Sequence, residues 1–249
     1  MQISGLIITF NEEKNIGKCI DALLRVCDEV IIVDSFSKDR TVEIAKEKGA
    51  VVIEQAFLGD GPQRTHGLPY CKNDWILNLD ADEFLDKDAE KFILDKKYLE
   101  GNYDAFSFRV KNFLADKLID FSGWYPDQKV RFFNKQTAHP SDSKVHQKII
   151  TQNEKKVAVH ILHYGWDSLD QIIAKKNQYS GWHAQQLFDQ GKRITAIKPV
   201  TNGAVAFIRC YFFKKGIFNG IDGLSIAMIQ SFFSYMKYAK LLKLQKRLK

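Results

Sequence analysis

Acidic side chains are concentrated directly after one apolar run in the first half of the chain. Asp80 and Asp82 follow the run Trp75–Leu79 and are separated by one residue, and Glu83 adds a third carboxylate. In an extended segment, residues i and i+2 point to the same side, so Asp80 and Asp82 are predicted to converge on one cation. Mg²⁺ or Mn²⁺ binds oxygen ligands and is often shared with substrate phosphates. The alternative is a solvated acidic turn that caps the next helix.

A further carboxylate, Asp34, ends the apolar run Glu29–Asp34. It can accept hydrogen bonds from a nucleobase N–H or a ribose hydroxyl. Ser37 and Asp39 come next and are interpreted mainly as capping residues of the following helix. Asp34 lies too early in the chain to cap that helix, so we predict that it contacts a ligand.

The polar segment after the first apolar run is predicted to line a nucleoside pocket, with helix capping as the alternative. Its candidate residues are Thr9, Phe10, Asn11 and Glu13. Arg64 follows a loop that contains glycine and proline. It is predicted to neutralise a diphosphate or to position a donor sugar, and the alternative is an ordinary surface arginine.

Short apolar runs alternate with helical patterns over the first 80 residues. Strands are predicted over Ile3–Thr9, Glu29–Asp34, Ala50–Glu54 and Trp75–Leu79, and helices over Asn15–Val26, Thr41–Lys48 and Gln63–Cys71. Such βαβ units form a parallel sheet, which binds ligands at the carboxyl ends of its strands. The polar segments described above all follow predicted strands, so they are expected to lie at one edge of the sheet.

The rest of the chain has a different pattern. Between Tyr103 and Tyr164, short β-like segments predict an antiparallel addition to the sheet, in which His160 and His163 are interpreted as core histidines. Residues Leu169–Leu187 are predicted to be helical, and the tail from residue 194 onward is helical, aromatic and basic. The predicted fold is therefore α/β, with a mostly parallel central sheet flanked by helices.

The composition is that of a globular protein with an uneven charge distribution. Of 249 residues, 45% are hydrophobic and 27% are charged, which argues against long disorder. The net charge is +7, but the segment Lys192–Lys249 contains twelve Lys or Arg residues and one acid, Asp222. This basic tail predicts a polyanionic partner, either nucleic acid or an anionic membrane surface. The four cysteines form no CxxC pair and no signal peptide is evident, so we expect reduced thiols in the cytoplasm.

Taken in order, these motifs resemble those of the inverting family 2 glycosyltransferases of GT-A fold. That family includes the β-1,4-glucosyltransferases of lipopolysaccharide inner-core assembly. The motifs that carry the resemblance are ITFNEE (8–13), VIIVDS (30–35), Gln63-Arg64, WILNLDADE (75–83), GWYPD (123–127), KVRFF (129–133), Val145-His146, YFFKKG (211–216), Asn219-Gly220 and Gly223-Leu224. The ordered set spans most of the chain and is far more specific than the two spaced aspartates alone.

The resemblance implies a nucleotide-sugar site. The segment 9–13 and Asp34 would hold the uridine of a UDP-sugar. Asp80, next to Ala81, would contact the ribose or the donor sugar. Asp82, with Asp80 beside it, would bind Mg²⁺ or Mn²⁺ on the diphosphate, where the metal offsets the charge of the departing UDP.

Inversion also requires a base that removes the proton of the acceptor hydroxyl. Related sequences often read Val-His-Glu where this chain has His146 followed by Gln147, and a glutamine cannot act as a base. Asp127 is therefore the predicted base, with His146 and Glu83 as the alternatives. A buried structural role for Asp127 is the competing interpretation.

The predicted organisation is a catalytic domain over residues 1–191 and a basic helical tail over 192–249. Residues 1–100 form the nucleotide-sugar half of that domain, and residues 101–191 form the acceptor-side half. In the tail, Gly223–Met236 carries no charge and lysines then recur every third residue. We predict that the tail lies on the anionic inner-membrane surface, since a lipid-linked acceptor would require it. Packing of the tail on the catalytic domain is the alternative.

Two other functions compete with this interpretation. A nucleotidyltransferase that makes a sugar nucleotide typically has a Gly-rich loop after its first strand, and this chain has FNEEKN (10–15) there. A non-enzymatic nucleic-acid-binding module would explain the tail but not the acids at successive strand ends. The sequence therefore predicts a metal-dependent transferase that moves a sugar, with glucose favoured, from a UDP-sugar to a glycan or glycolipid acceptor. The pathway would be lipopolysaccharide or cell-surface polysaccharide synthesis, the protein would be peripheral on the cytoplasmic membrane, and no nucleic-acid partner is expected.

Overall fold

The computed structural model describes residues 3–121, 123–143 and 148–246. The chain divides into two compact units. The first consists of Met1–Lys111 and Pro126–Gly165, and the second consists of Asn112–Tyr125 and Trp166–Lys249.

The elements alternate between strand and helix in the first half of the chain and become strand-rich, then helical, in the second half. The strands are β1 (Ile3–Thr9), β2 (Glu29–Asp34), β3 (Val51–Glu54), β4 (Trp75–Asp80), β5 (Glu83–Leu85), β6 (Ala105–Leu114), β7 (Lys117–Ile119), β8 (Asp127–Asn134), β9 (His139–Pro140), β10 (Ile149–Ile150) and β11 (Glu154–Trp166). The α-helices are α1 (Ile16–Leu23), α2 (Thr41–Glu47), α3 (Asp60–Gly67), α4 (Lys87–Leu94), α5 (Leu169–Asp189), α6 (Lys198–Ile208) and α7 (Gly220–Lys246).

The main sheet has the strand order β3-β2-β1-β4-β8-β6-β11-β5. The first four strands are parallel, and the pairs β4–β8, β8–β6 and β11–β5 are antiparallel. The predicted α/β fold, a largely parallel sheet with an antiparallel addition and a helical tail, is therefore confirmed. In this order β1 lies between β2 and β4, so the chain segments that follow these three strands leave the same edge of the sheet.

Both faces of the parallel strands are buried, which explains their continuous apolar sequence. Ile32 belongs to one hydrophobic cluster, whereas its neighbours Ile31 and Val33 belong to the cluster on the other face. The predicted helix over residues 63–71 begins earlier, at Asp60, and ends in a 3₁₀ turn, Leu68–Tyr70. Pro62 is compatible with this start because a proline in the first helical turn interrupts no hydrogen bond.

The second unit is mainly helical. Helix α7 packs against α5 and α6, and its buried side chains include Ile226 and Phe233. After α6 the chain forms a π-helical turn, Arg209–Phe213, and a 3₁₀ turn, Gly216–Asn219. Within the described ranges, no helix combines the length and the apolar character needed to cross a bilayer.

Candidate active site

An open cavity of about 440 Å³ lies in the first unit, at the carboxyl end of β4 and the beginning of β8. Most of its lining is charged. The cationic lining residues are Arg64, Lys129, Arg131 and Lys148, and the acidic ones are Asp60, Asp80, Asp127 and Glu154. Such a mixture suits a ligand that carries both negative charge and hydroxyl groups.

Asp80 is held between two buried arginines. Arg64 comes from α3 and Arg131 from β8, and each of these side chains is only 4% exposed. Arg131 donates a hydrogen bond of 2.8 Å to Asp80 Oδ2, and Arg64 donates to Oδ1. Removal from water opposes ionisation of Asp80, but the charges of Arg131 and Arg64 outweigh that effect and hold its pKa well below the usual range. Asp80 is therefore a carboxylate that fixes two cations at the cavity.

Glu83 is the second anionic partner of Arg131. It is fully buried, it pairs with the Arg131 guanidinium, and its Oε2 accepts a hydrogen bond of 3.2 Å from the backbone N–H of Asp80. Glu83 is not among the residues that line the cavity. Its position therefore corrects the expectation that Glu83 could serve as a base, because an acceptor hydroxyl has no route to a carboxylate that is buried and engaged on both oxygens.

Both arginines keep hydrogen-bond donors that have no partner among the described residues. These buried atoms are Nε and Nη1 of Arg64 and Nε of Arg131. A buried N–H without an acceptor is costly, and an anionic ligand in the adjacent cavity would supply acceptors. The sequence left open whether Arg64 is an ordinary surface residue, and its burial excludes that alternative.

Asp82 has a different partner from Asp80. Its Oδ2 lies 3.4 Å from Nε2 of His163 on β11. Burial lowers the pKa of His163, but the hydrogen bond and charge of Asp82 more than offset this and raise it above the ordinary value. The sequence pattern predicted one cation shared by Asp80 and Asp82, whereas the structure directs these two carboxylates to arginines and to a histidine respectively.

Asp82 and His163 together offer two potential ligands for a metal ion. A carboxylate oxygen and an imidazole nitrogen are both common ligands of Mn²⁺-type ions. Gly165 leaves the space open, since a Cβ at that residue would lie 2.5 Å from His163 Nε2 and 3.1 Å from Asp82 Oδ2. Within the described residues, no group of three or more His, Cys, Asp or Glu side chains is placed to hold a metal ion. A cation bound here would take its remaining ligands from water and from the substrate phosphates.

The loops that follow β1 and β2 are joined by hydrogen bonds. Asn11 donates from its backbone N–H to Ser37 Oγ, and its side-chain oxygen accepts from the N–H of Lys38. Glu13 donates its N–H to Asp39. Asn11 has a φ of 56°, a conformation that asparagine tolerates better than most residues. The predicted nucleoside segment is thus a defined loop at the carboxyl ends of the parallel strands β1 and β2.

Asp34 is fully buried at the end of β2, and both of its carboxylate oxygens accept hydrogen bonds from Ser37. It therefore closes the turn after β2 and, as its position in the chain predicted, does not cap helix α2. Asp39 does act near the start of α2, where it accepts from the N–H of Thr41. Contact between Asp34 and uridine stays a prediction.

The other predicted site residues differ in their exposure. Thr9 is buried and its hydroxyl has no partner among the described residues, whereas Phe10 is 55% exposed. Ala81 is buried in the turn between β4 and β5. Asp127 lines the cavity at the first residue of β8, and His146 lies outside the described residues.

A model of the family described as Glycosyl transferase family 2 matches residues 4–148. The chain belongs to this family. It is accordingly a glycosyltransferase, as its ordered motifs predicted, and the matched segment contains Arg64, the β4–β5 turn and the cavity strand β8. The choice between a glycosyltransferase and a nucleotidyltransferase is thereby decided.

Relatives of this glycosyltransferase extend over nearly its whole length. It is 33% identical to "Uncharacterized glycosyltransferase" of Rickettsia bellii, over 98% of this chain and 87% of the relative. It is 29% identical to the lipopolysaccharide core biosynthesis glycosyltransferase LpsC of Rhizobium meliloti, over 97% of this chain and 92% of LpsC. Among solved structures, it is similar to the glucosyl-3-phosphoglycerate synthase of Mycobacterium tuberculosis in complex with Mn²⁺, UDP and glucosyl-3-phosphoglycerate. That similarity has 26% identity, covers 45% of this chain and 44% of the other, and has a TM-score of 0.36.

Sequence reasoning missed His163 in this glycosyltransferase. The apolar alternation of β11 favoured a core histidine, and His163 lies 81 positions after Asp82. One signal was available, because Gly165 interrupts the same strand and a glycine within a strand often marks a close approach. The pairing itself depends on the antiparallel register of β11 with β5, which places His163 opposite Glu83.

Proposed function

We propose that this glycosyltransferase moves a sugar, with glucose favoured, from a UDP-sugar to a glycan acceptor in lipopolysaccharide or cell-surface polysaccharide synthesis. The proposal includes inversion at the anomeric carbon and dependence on Mg²⁺ or Mn²⁺. The observation that carries it is the pair of buried arginines, Arg64 and Arg131, which are fixed by Asp80 beside a charged cavity and retain unpaired donors. The similarity to LpsC supports the choice of acceptor pathway.

The donor would lie with its uridine against the loop of residues 9–13 and its diphosphate near Arg64 and Arg131. Guanidinium groups bind phosphate oxygens through paired N–H donors, so the spare donors of these arginines fit a diphosphate. Asp82 and His163 would hold the divalent cation. When bound there, the metal would stabilise the negative charge that develops on the departing UDP.

Asp127 is the proposed base. Its side chain is 44% exposed and lines the same cavity as both arginines. It would accept the proton of the acceptor hydroxyl as that oxygen forms a bond to the anomeric carbon. The bond from that carbon to the β-phosphate oxygen breaks at the same time, and UDP leaves with the electron pair. Arg64 and Arg131 need no proton transfer to stabilise the product, because both are already cationic.

The first test is whether a metal is linked to UDP binding. We expect Mn²⁺ to tighten UDP binding to the parent protein, measured by isothermal titration calorimetry. Asp82→Asn and His163→Gln should each remove most of this enhancement. The expected loss is on the order of tenfold or more, since removal of even an outer-shell partner costs about 10–100-fold in metal affinity.

The chain offers a matched control for this test. His160 on the same strand also faces a carboxylate, with its Nδ1 3.1 Å from Asp86. His160→Gln therefore removes a histidine–aspartate contact of the same kind, and its UDP affinity should keep the full dependence on Mn²⁺. If neither Mn²⁺ nor Mg²⁺ changes the affinity of the parent protein for UDP, the proposed metal dependence is wrong.

The second unit supplies a surface for the membrane-bound acceptor that we propose. Large apolar side chains are exposed where α6 leads into α7, and Phe213 and Phe218 are 80% and 81% exposed. Other exposed apolar side chains of the tail are Ile197, Val200, Val205, Ile208, Phe212, Ile217 and Ile221. The surrounding tail is strongly basic, so the partner that fits this surface is an anionic lipid headgroup layer.

We propose a membrane contact that lies earlier in the tail than the uncharged stretch favoured by the sequence. The uncharged stretch 223–236 belongs to α7, where Ile226, Ala227 and Phe233 are buried. Deleting residues 223–249 would therefore remove part of the core of the second unit. The exposed aromatic residues before α7 are the better test of membrane binding.

We expect Phe213→Ser combined with Phe218→Ser to reduce cosedimentation with vesicles of phosphatidylglycerol and phosphatidylcholine by at least tenfold. Burying one aromatic side chain contributes roughly 1.5–3 kcal/mol, so two rings account for an effect of this size even if each is only partly inserted. Phe57, which is 57% exposed in the first unit, provides the control Phe57→Ser. Unchanged cosedimentation of the double variant would exclude this surface as the anchor.

A further inference from the structure

The second unit has a cavity of its own, with a volume of about 430 Å³. Its polar lining comes from the turn before β8 and from α6, α7 and the π-helical turn between them. The polar and aromatic lining residues are Trp124, Asn202, Arg209, Lys214, Gln230 and Ser234. Of the described residues that line this cavity, none is acidic.

Both cations of this cavity lack a carboxylate partner within the described part of the chain. Lys117 in the same unit pairs with Asp222, but no described Asp or Glu lies within ion-pair distance of Arg209 or Lys214. Arg209 is exposed and Lys214 is half-buried, so both positive charges are accessible to an anion in the cavity. A bound anion would offset both charges.

The uncharged groups add a donor and an apolar face. The side-chain oxygen of Gln230 accepts a hydrogen bond of 2.8 Å from Lys176 Nζ. Its amide nitrogen, which is a donor, has no hydrogen-bond partner among the described residues. Trp124 contributes an indole, a ring that packs well against the apolar face of a sugar.

Gly123 lies against the flexible end of the Lys214 side chain. Residue 123 has a φ of +79°, and a Cβ there would overlap the side chain of Lys214, including its ammonium group. The backbone before Trp124 thus lies directly against the lysine side chain. Because residue 123 is a glycine, the ammonium group of Lys214 can lie in the wall of the cavity.

We propose that this cavity binds the phosphate group of a phosphorylated saccharide. A phosphate monoester carries a charge of about −1.5 to −2 at neutral pH, which matches two unpaired cations. Arg209 would bind its oxygens through paired N–H donors and Lys214 would act as a point charge. Gln230 would donate to the same group, and Trp124 would pack against the sugar ring. The inference rests on the proposed function only in treating this saccharide as part of the glycan acceptor.

The test uses the full chain with glucose 6-phosphate as the probe, measured by calorimetry without UDP and again with saturating UDP and Mn²⁺. We expect glucose 6-phosphate to bind under both conditions and glucose to bind at least tenfold more weakly. Arg209→Gln and Lys214→Gln should each weaken binding of the probe about tenfold, as expected for loss of a hydrogen bond between charged groups. Lys192→Gln, an exposed lysine of the tail outside the cavity, should leave the affinity within twofold of the parent.

Several outcomes would overturn the proposal. One is an unchanged affinity for glucose 6-phosphate in both cavity variants. Another is loss of probe binding when UDP is saturating, which would place the sugar phosphate in the cavity of the first unit. UDP binding by Arg209→Gln is measured in parallel, so a failure of the donor site is distinguished from a failure of this cavity. Gly123→Ala should also weaken probe binding, and Arg209→Gln keeps the proposal testable if that glycine variant does not fold.

A last measurement separates a lipid-borne phosphate from a soluble one. Vesicles that contain phosphatidic acid present a phosphate monoester, whereas phosphatidylglycerol presents a diester. Displacement of glucose 6-phosphate by phosphatidic acid vesicles, but not by phosphatidylglycerol vesicles, would identify a lipid-borne group. Displacement by neither would identify a phosphate on a soluble or extended glycan. Displacement of equal strength by both would contradict recognition of a monoester.

Discussion

Replacement of Asp127 by asparagine is expected to slow hydrolysis of UDP-glucose by about 10²–10⁴-fold, the usual contribution of a positioned general base. In this assay water takes the place of the acceptor hydroxyl. Asparagine keeps the shape of the side chain but cannot receive a proton. Asp127 makes one described ion pair, at 3.7 Å to Lys129, so the variant should fold normally and bind UDP with unchanged affinity.

This prediction separates the base from a structural carboxylate. If Asp127 served only to hold Lys129, the variant would lose little rate, since an ion pair this exposed contributes about 0–1 kcal/mol. Asp116, an exposed aspartate in the turn between β6 and β7, provides the matched control Asp116→Asn. Near-normal hydrolysis by Asp127→Asn would exclude Asp127 and direct attention to His146.

Replacement of Arg131 by methionine is expected to lower the free energy of unfolding by about 3–5 kcal/mol, measured by urea denaturation. The Arg131 side chain is 4% exposed, and its guanidinium pairs with Glu83, whose side chain is 0% exposed. Without Arg131, the Glu83 carboxylate is left in the protein interior without its counter-charge. Methionine fills most of the same volume. The decrease in the free energy of unfolding therefore comes mainly from the unpaired Glu83 carboxylate and not from a cavity.

A double variant tests that explanation. Arg131→Met combined with Glu83→Gln removes both charges, and we expect it to regain a substantial part of the lost free energy of unfolding. Lys129→Met, two residues earlier on the same strand, is the control. Lys129 is 38% exposed in its pair with Asp127, and its loss should cost no more than about 1 kcal/mol. A cost below about 1 kcal/mol for Arg131→Met would mean that the buried network does not stabilise the first unit.

The parallel half of the fold could be predicted from local pattern. Runs such as Glu29–Asp34 are apolar without interruption, and the segments between them have helical spacing or a glycine stop. These signals act over fewer than about 15 residues and need no knowledge of distant contacts. The same logic placed Asp34 and Asp80 at strand ends, where the structure has them.

The ion-pair partners of the carboxylates at the site could not be predicted in the same way. Asp80 and Asp82 are almost adjacent in sequence, yet one pairs with Arg64 and Arg131 and the other with His163. The chain turns between β4 and β5 at residues 81 and 82, so the extended geometry assumed for the spaced aspartates does not apply. Alternation along β8 likewise did not reveal that Arg131 is buried.

The sequence by itself determined the family, the α/β order of elements and the carboxylates at the ends of the strands, because each depends on residues that are close together in the chain. Only the tertiary structure decided what those carboxylates contact. Arg131 and His163 reach the β4–β5 turn through antiparallel strands that enter the sheet from 48 to 81 residues further along the chain. Strand register sets which side chains meet, and register is a property of the whole packed sheet rather than of any one segment.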